Sequence, residues 1–402
     1  MSARDGGQAS VKRVEEIVIL GGGIGGLVAA FFLGAEKGAR VTLVEREPRH
    51  DEHSSGRSAE ILRTAIDDPV TEALGLRTAA LLRAPSEIGL ECCGPLVDDR
   101  GLIVLTGSGE EPRIDAPWIQ RHVDGGAARA MAPEELREAA PHFSPVGHQA
   151  WWLPGGGHIE VERLMASLAR GAMARGVRFL RSTGDARPQL EGGRILGVEF
   201  RETLLPCDSL VVAAGAWSGP IGRQIGAPLP LRTTRRHMWV TGAGASANPN
   251  APIVWDDLAG FYARPERSTN ATGWAFSTTD LEHFELRGGD APFARAEMYA
   301  VEEAERVAAL AAARTRLPLS SGDLVRSWRG FRDLTPDDRP VLGPDGRVPG
   351  LHWCAGLGGH GMTVSLAAGQ VVADSIMGRA HPLSTSCSPG RFEEPGRQPA
   401  GR

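Results

Sequence analysis

The sequence predicts an α/β protein, a dinucleotide-binding Rossmann-like domain joined to a second, strand-rich α+β domain, on three observations. Near the amino end, "EEIVILGGGIGGLVAAFFLGAEKGARVTLVERE" supplies an apolar strand, glycines in G-x-G-x-x-G spacing, an Ala/Leu-rich helix and a second strand closed by Glu45. Far along the chain, "SLVVAAGAWSG" is a buried strand ending in small residues, the usual place for a ligand in an open α/β sheet. A length of 402 residues exceeds one simple core and asks for two interleaved or consecutive domains.

Each element has a physical reason. Gly21 makes the tight turn, Gly23 lets the backbone approach a pyrophosphate, and Gly26 permits close helix–strand packing, with Ile24 and Gly25 in the same turn. Glu45, followed by Arg46, is placed to bind a ribose 2′-OH. The polar loop "HSSGRSAEILRTAIDDP" comes next, where Ser55, Gly56, Arg57 and Ser58, with Ala59 behind them, either meet the pyrophosphate or form an ordinary helix cap. Residues from about 90 to 150 form a separate segment with the strand "GLIVLTG" and the capped helix "APEELREAA". The stretch "GGGHIEVERLMASLARGAMARGVRF" reads as glycine turn, amphipathic helix and strand. From about 226 to 321 strand-like runs dominate ("RRHMWVTG", "GFYARPE", "GWAFST"), closed by the helix "EMYAVEEAERVAALAAA". The Pro/Gly/Arg-rich tail after Ser388 is expected to be poorly ordered.

Composition excludes several classes. Apolar content of 42% with 52 glycines and 28 prolines describes a loop-rich soluble enzyme. No stretch reaches a membrane span and "MSARDGGQAS" lacks the apolar core of a secretion signal, so a cytoplasmic location is expected. Cysteines 92, 93, 207, 354 and 387 have neither C-x-x-C nor zinc spacing and read as reduced thiols, with no metal site. A net charge of −5 without a basic run argues against nucleic acid.

The chemistry concentrates in "SWRGFRDLTPDDRP" and the glycine loop "AGLGGHGMT", which opens a helix. Bare backbone N–H groups and a helix N-terminus, worth roughly half a positive charge, suit an anion such as the N1–C2=O edge of a reduced flavin. Arg332, arriving from the preceding strand, is then a candidate clamp for a substrate carboxylate; the alternative is a surface ion pair with Asp333 or Asp337.

Taken in order, "GGGIGG" with Glu45, "SSGRSAE", "GGHIEVERL", "VVAAGAW", "WRGFRDLTPDDRPVLGP", "AGLGGHGMT" and "SPGRF" resemble the FAD-dependent D-amino-acid-oxidase-like superfamily, over residues 15 to 392. The resemblance implies a discontinuous FAD-binding domain (13–90, 150–225, 322–388), a substrate domain (91–149, 226–321) whose antiparallel sheet covers the flavin, and a flexible tail (389–402). It implies non-covalent FAD; a covalent link at His50 or His53 is the disfavoured alternative. Ala186, Ala214, Gly215, Trp217, Gly356, Gly358, Gly361, Met362 and Thr363 join the implied cofactor-binding set. Arg332 matches the carboxylate-binding arginine, Tyr262 a substrate-facing tyrosine (or a packing one), and Arg236 a second arginine (or an exposed strand residue), with Arg235 pointing away. Gly359 falls where a backbone carbonyl nears the substrate amine, and His360 either touches flavin or substrate or is structural. Trp151, Trp152, Trp217 and Trp328 read as packing or cofactor-edge residues.

Departures matter too. Ile61 and Ile66 stand where relatives handling a guanidinium carry polar residues, which makes that wall apolar. The implied reaction is FAD-dependent oxidation of the C–N bond of a small carboxylate-bearing amine, with hydride passing from Cα to flavin. The rivals are a 2-hydroxy-acid dehydrogenase, needing His360 or His237 as base, and a non-catalytic flavin-binding subunit. Oxygen or another acceptor reoxidises the flavin. Only Lys12 and Lys37 are present, both far from the glycine loop in sequence, which leans the expectation towards a dehydrogenase or slow oxidase unless an arginine or protonated His360 supplies the charge.

Overall fold

The computed structural model describes residues 14–107, 117–141, 143, 149–242, 247–257, 259–266, 273–278, 282–283, 301–317, 319 and 324–393. Its first sheet has six strands in the order Val341–Pro344, Leu351–Ala355, Ser209–Val212, Glu15–Leu20, Ala39–Val44, Arg178–Leu180. All neighbours run parallel except the antiparallel edge Val341–Pro344. Residues 17–20 and 210–212 are buried along their length because helices cover the sheet, which is why these stretches are unbroken apolar runs. The central register places Leu20 beside Val212, and Val212 beside Trp353. Three turns that follow parallel strands, at Gly21, Ala213 and Gly356, therefore open on the same edge.

Helix Ile24–Leu33 leaves the first of these turns, and nine of its ten residues are buried, so it packs on every side. Helix Gly361–Ile376 leaves the third turn and crosses it. Contact is close because Gly369 lies there: a Cβ on Gly369 would stand 2.8 Å from Val28 Cβ and 2.9 Å from the Phe32 ring. Helix Pro69–Arg83, started by Pro69 and by the Asp68 side chain accepting from Val70 and Thr71 N–H, packs on the same partner.

The second sheet has nine strands among the described residues. Arg232–Thr241 sits inside it, paired along one edge with Leu324–Leu334 and along the other with Trp274–Thr278 and Glu282–His283. Phe261–Pro265, Ile253–Asp256, Leu102–Thr106, Gln149–Leu153 and Arg129–Ala130 continue it. One junction departs from the antiparallel expectation: Ile253–Asp256 runs parallel to Leu102–Thr106. These strands come from separate chain segments and are not joined by a hairpin, so nothing obliges them to be antiparallel.

Two expected boundaries shift. Residues 150–153 of strand Gln149–Leu153, and Leu324–Leu334, placed by sequence in the cofactor segments, pair in this second sheet. An apolar alternation reads the same in either sheet, and only the pairing partner decides. The expected loose tail is also shorter. Pro389–Phe392 forms a 3-10 turn capped by Ser388, and Arg391 donates to both oxygens of Asp337, so residues 389 to 393 are docked; 394–402 lie outside the described residues. The helix expected at 297–313 is observed over Glu303–Arg314, its first residues falling outside the described set.

Gly369→Val should force the helix crossing apart and cost on the order of 1–3 kcal/mol, seen as a lower melting temperature of the flavin-loaded protein. An unchanged melt would mean that the crossing yields without strain.

Candidate functional site

A cavity of about 990 Å³ runs along the open edge of the first sheet to the face of the second. At one end, buried Glu45 accepts the N–H groups of Gly22 (2.6 Å) and Glu47 (2.8 Å). Burial raises its carboxyl pKa above the ordinary value, against those two hydrogen bonds. Two glycines of the turn are sterically required: a Cβ on Gly21 (φ +108°) would strike the Ala213 carbonyl, and one on Gly26 would strike the Gly21 carbonyl. Ser55 Oγ accepts the Ile24 N–H at 2.9 Å, folding the 54–58 loop over the start of the helix. Trp217 is flanked by the Arg46 guanidinium, 5.1 Å from its ring, and by His53 at 4.7 Å.

Every site residue proposed from sequence lines this cavity except Gly26 and Gly56. Gly26 packs behind the turn, and Gly56 lies against Asp51, whose carbonyl a Cβ would strike. His50 and His53 sit at the Glu45 end, beside Gly22 and Glu47.

At the other end, Gly356, Gly358 and Gly359 hold φ of +61°, +58° and +81°, and the chain then enters helix Gly361–Ile376 with no side-chain cap at His360. The first-turn residues Gly361, Met362 and Thr363 line the cavity. Register builds the facing wall. Arg332 lies opposite Thr234 and Arg236 opposite Gly330, so Arg332, Arg236 and Met238 share one strand face. Arg235 alternates to the other face and is absent from the lining, as expected. Arg332 packs beneath the glycine loop, where a Cβ on Gly359 would be 2.8 Å from Arg332 Cδ. Neither ion pair considered for Arg332 forms: Asp333 takes the Thr233 hydroxyl at 2.7 Å and Asp337 takes Arg391. Tyr262 is 1% exposed, stacked on Trp255 (centroids 4.8 Å apart), with its hydroxyl donating to Met238 Sδ at 3.3 Å.

His360 is neutral. Burial, then the charges of Arg63, Arg332 and Arg236, push its pKa down to about 3. A pKa this low disfavours His360 both as a source of positive charge at neutral pH and as the base for a hydroxyl proton. His237, the other base considered for a hydroxy acid, receives a hydrogen bond from Arg329 and stacks on Trp239, outside the cavity lining.

Arg63 is the residue that the sequence reading passed over. It lines the cavity, donates from Nε to the Ala65 carbonyl at 3.0 Å, and packs on the indoles of Trp255 (4.5 Å) and Trp118 (5.0 Å). Arg63 follows the two-residue strand Ile61–Leu62 in irregular chain, so no local pattern marked it. The wall expected to be apolar carries a cation; Ile61 lines it, whereas Ile66 is buried off it.

A dinucleotide turn, an acid for a ribose, and a second helix N-terminus over a cationic pocket define an FAD-dependent oxidoreductase. Residues 16–375 match the family described as DAO, FAD dependent oxidoreductase, and the chain belongs to that family, with FAD as its cofactor. It is 25% identical to FAD-dependent oxidoreductase domain-containing protein 1 of Bos taurus, over 94% of this chain and 84% of that protein. It is 26% identical to glycine oxidase of Pseudomonas aeruginosa, over 91% and 95%. L-proline dehydrogenase from P. horikoshii shares the fold at a TM-score of 0.79 and 22% identity, with 95% of this chain and 99% of that one covered. No helix among the described residues is long and apolar enough to cross a membrane.

Burial raises the Asp333 carboxyl from 3.8 to about 6, opposed by the Thr233 hydrogen bond. The folded protein thus holds this proton more tightly than the unfolded chain. The stability it contributes is complete below pH 3.8 and is lost as pH rises through about 6. Asp333→Asn should therefore gain on the wild type between pH 4 and 7, by up to on the order of 2–3 kcal/mol, in denaturant titrations across that range. Parallel pH curves for the two proteins would show that Asp333 is ionised throughout.

Proposed function

We propose that this enzyme oxidises the C–N bond of a small amino acid or N-substituted amino acid. The observation that carries the reading is Arg332, a cation beneath the glycine loop with no carboxylate of the protein paired to it among the described residues. A charge held in a cavity calls for a counter-charge, and a substrate carboxylate provides one, with Arg236 and the Tyr262 hydroxyl as further contacts.

With the carboxylate fixed, Gly359 presents backbone to the substrate amine. The cations Arg63, Arg236 and Arg332 disfavour an ammonium and keep the amine neutral. Its lone pair can then stabilise the iminium that forms as hydride leaves Cα, so no side chain is obliged to act as base. Bound FAD supplies the two-electron acceptor. The N–H groups of the glycine loop and of the helix starting at Gly361 offset the negative charge that accumulates beside them. The imine hydrolyses in water to a 2-oxo acid and ammonia, or to a 2-oxo acid and a primary amine when the nitrogen was secondary. Glycine oxidase among the relatives supports this substrate class.

Arg332→Ala should keep its FAD yet lose about a hundredfold or more in kcat/KM, and Tyr262→Phe should lose less, measured by anaerobic flavin bleaching with an amino-acid panel. Bleaching of Arg332→Ala at the wild-type rate would move the anchor to Arg236.

The electron acceptor follows from charge at the loop. Lys37 is exposed in the turn beyond the first helix, His360 is held neutral, and the cations that act on this end, Arg63, Arg236 and Arg332, are read as facing the substrate. Slow reoxidation by oxygen is expected when the substrate-reduced enzyme is mixed with it in a stopped-flow instrument. Rapid reoxidation with stoichiometric peroxide would make it an oxidase.

A further inference from the structure

Arg63, Arg236 and Arg332 all act on His360, so three guanidinium charges converge on one end of the cavity. A single α-carboxylate accepts a bidentate arginine plus one or two further donors, and Arg332, Arg236 and Tyr262 already fill that set. Arg63 stands on a different wall. It belongs to the segment after Ile61–Leu62 and packs on Trp118 and Trp255, whereas Arg332 packs beneath Gly359 on the strand opposite Thr234.

Its surroundings fix the group without neutralising it at contact. Nε–H is tied to the Ala65 carbonyl and two indoles hold the plane, leaving the Nη edge as the donor pair. Asp257 and Asp67 act on it through charge alone: neither forms an ion pair with it, and Asp257 takes the Trp255 indole N–H. Of the acids that line the cavity, Asp333 on the Arg332 strand is engaged by Thr233, Asp185 pairs with Arg46, and Glu45, Glu47 and Glu52 lie towards the adenosine end. A preorganised guanidinium of this kind recognises a planar anion at small entropic cost. Ile61, Met238 and Trp255 offer apolar surface for the carbon chain between the two ends of a ligand.

We propose, on the reading that this site oxidises an amine-bearing acid, that the substrate carries a second carboxylate and that Arg63 is the residue selecting it. The second carboxylate stands either on the side chain, as in aspartate or glutamate, or on the nitrogen substituent, as in iminodiacetate.

The test uses the FAD-loaded enzyme under nitrogen with matched pairs: iminodiacetate against sarcosine, and both enantiomers of aspartate and glutamate against asparagine and glutamine. The dicarboxylate of at least one pair should reduce the flavin with kcat/KM about 10- to 100-fold above its neutral partner. Arg63→Gln should cut that value about tenfold or more beyond whatever it costs the neutral partner, and Arg63→Lys should restore part of the difference. Equal use of charged and neutral partners by the wild type overturns the proposal, as does an Arg63→Gln loss equal on both. If no amine reduces the flavin, the proposed function fails but the second anion seat is still measurable. Glutarate should then perturb the flavin spectrum at about tenfold lower concentration than butyrate in the wild type and not in Arg63→Gln, and equal titrations would sink it. FAD content and melting temperature of each variant separate these results from misfolding.

Discussion

The structure depends on two helices being allowed to approach closer than side chains normally permit. Gly26 lets helix Ile24–Leu33 start against the strand it follows, and Gly369 lets helix Gly361–Ile376 cross it with Val28 and Phe32 in direct contact. Because both helices begin at the same edge of one parallel sheet, their N-termini open on one cavity. In the proposed reading the two positive helix ends serve different parts of one long ligand, phosphate at the first turn and the flavin ring at the second. Without the close crossing, the loops would not face each other.

The second sheet completes what the first begins. Leu324–Leu334 is one of its strands and delivers Arg332 under the loop that precedes helix Gly361–Ile376, so this cation and the helix start are close in the chain as well as in space. Glu60, in the loop over the glycine turn, receives Arg264 and His158, tying the two domains together from the opposite side. Burial raises the Glu60 pKa, but the His158 hydrogen bond and the Arg264 charge outweigh it and leave the carboxyl below its ordinary value. The clasp therefore contributes stability above the ordinary carboxylate pKa and loses it as pH falls through the lowered folded value.

Charge at the substrate end is one-sided. Three arginines surround a neutral imidazole, and the buried acid on the same strand is engaged by a threonine. That field favours bound carboxylate and unprotonated amine together, a combination that bulk water at neutral pH does not favour for an amino acid. Tyr262, stacked on Trp255 and bonded to Met238, gives this end an apolar wall beside the arginines.

Much of this was legible without coordinates. The strand–glycine–helix–strand–acid series, the small residues after Ser209–Val212 and the loop before helix Gly361–Ile376 are local patterns, because backbone turns and helix starts are decided by residues adjacent in the chain. Arg332 and Arg236 were picked out by their resemblance to family positions, and strand alternation alone turned Arg235 to the other face. Pairing was not local. Whether Gln149–Leu153 and Leu324–Leu334 join the first or second sheet, and whether Ile253–Asp256 runs with or against Leu102–Thr106, depends on partners distant in sequence. Nor was the charge state of His360, since it results from burial and three arginines brought from three chain segments. Arg63 is the sharpest case. Its sequence neighbours describe a loop leading into a helix, and only the tertiary placement of Trp118 and Trp255 turns it into a fixed cation on the substrate wall. What short-range sterics dictate, the sequence carried by itself; what long-range contact and the shared electrostatic field dictate, the fold decided.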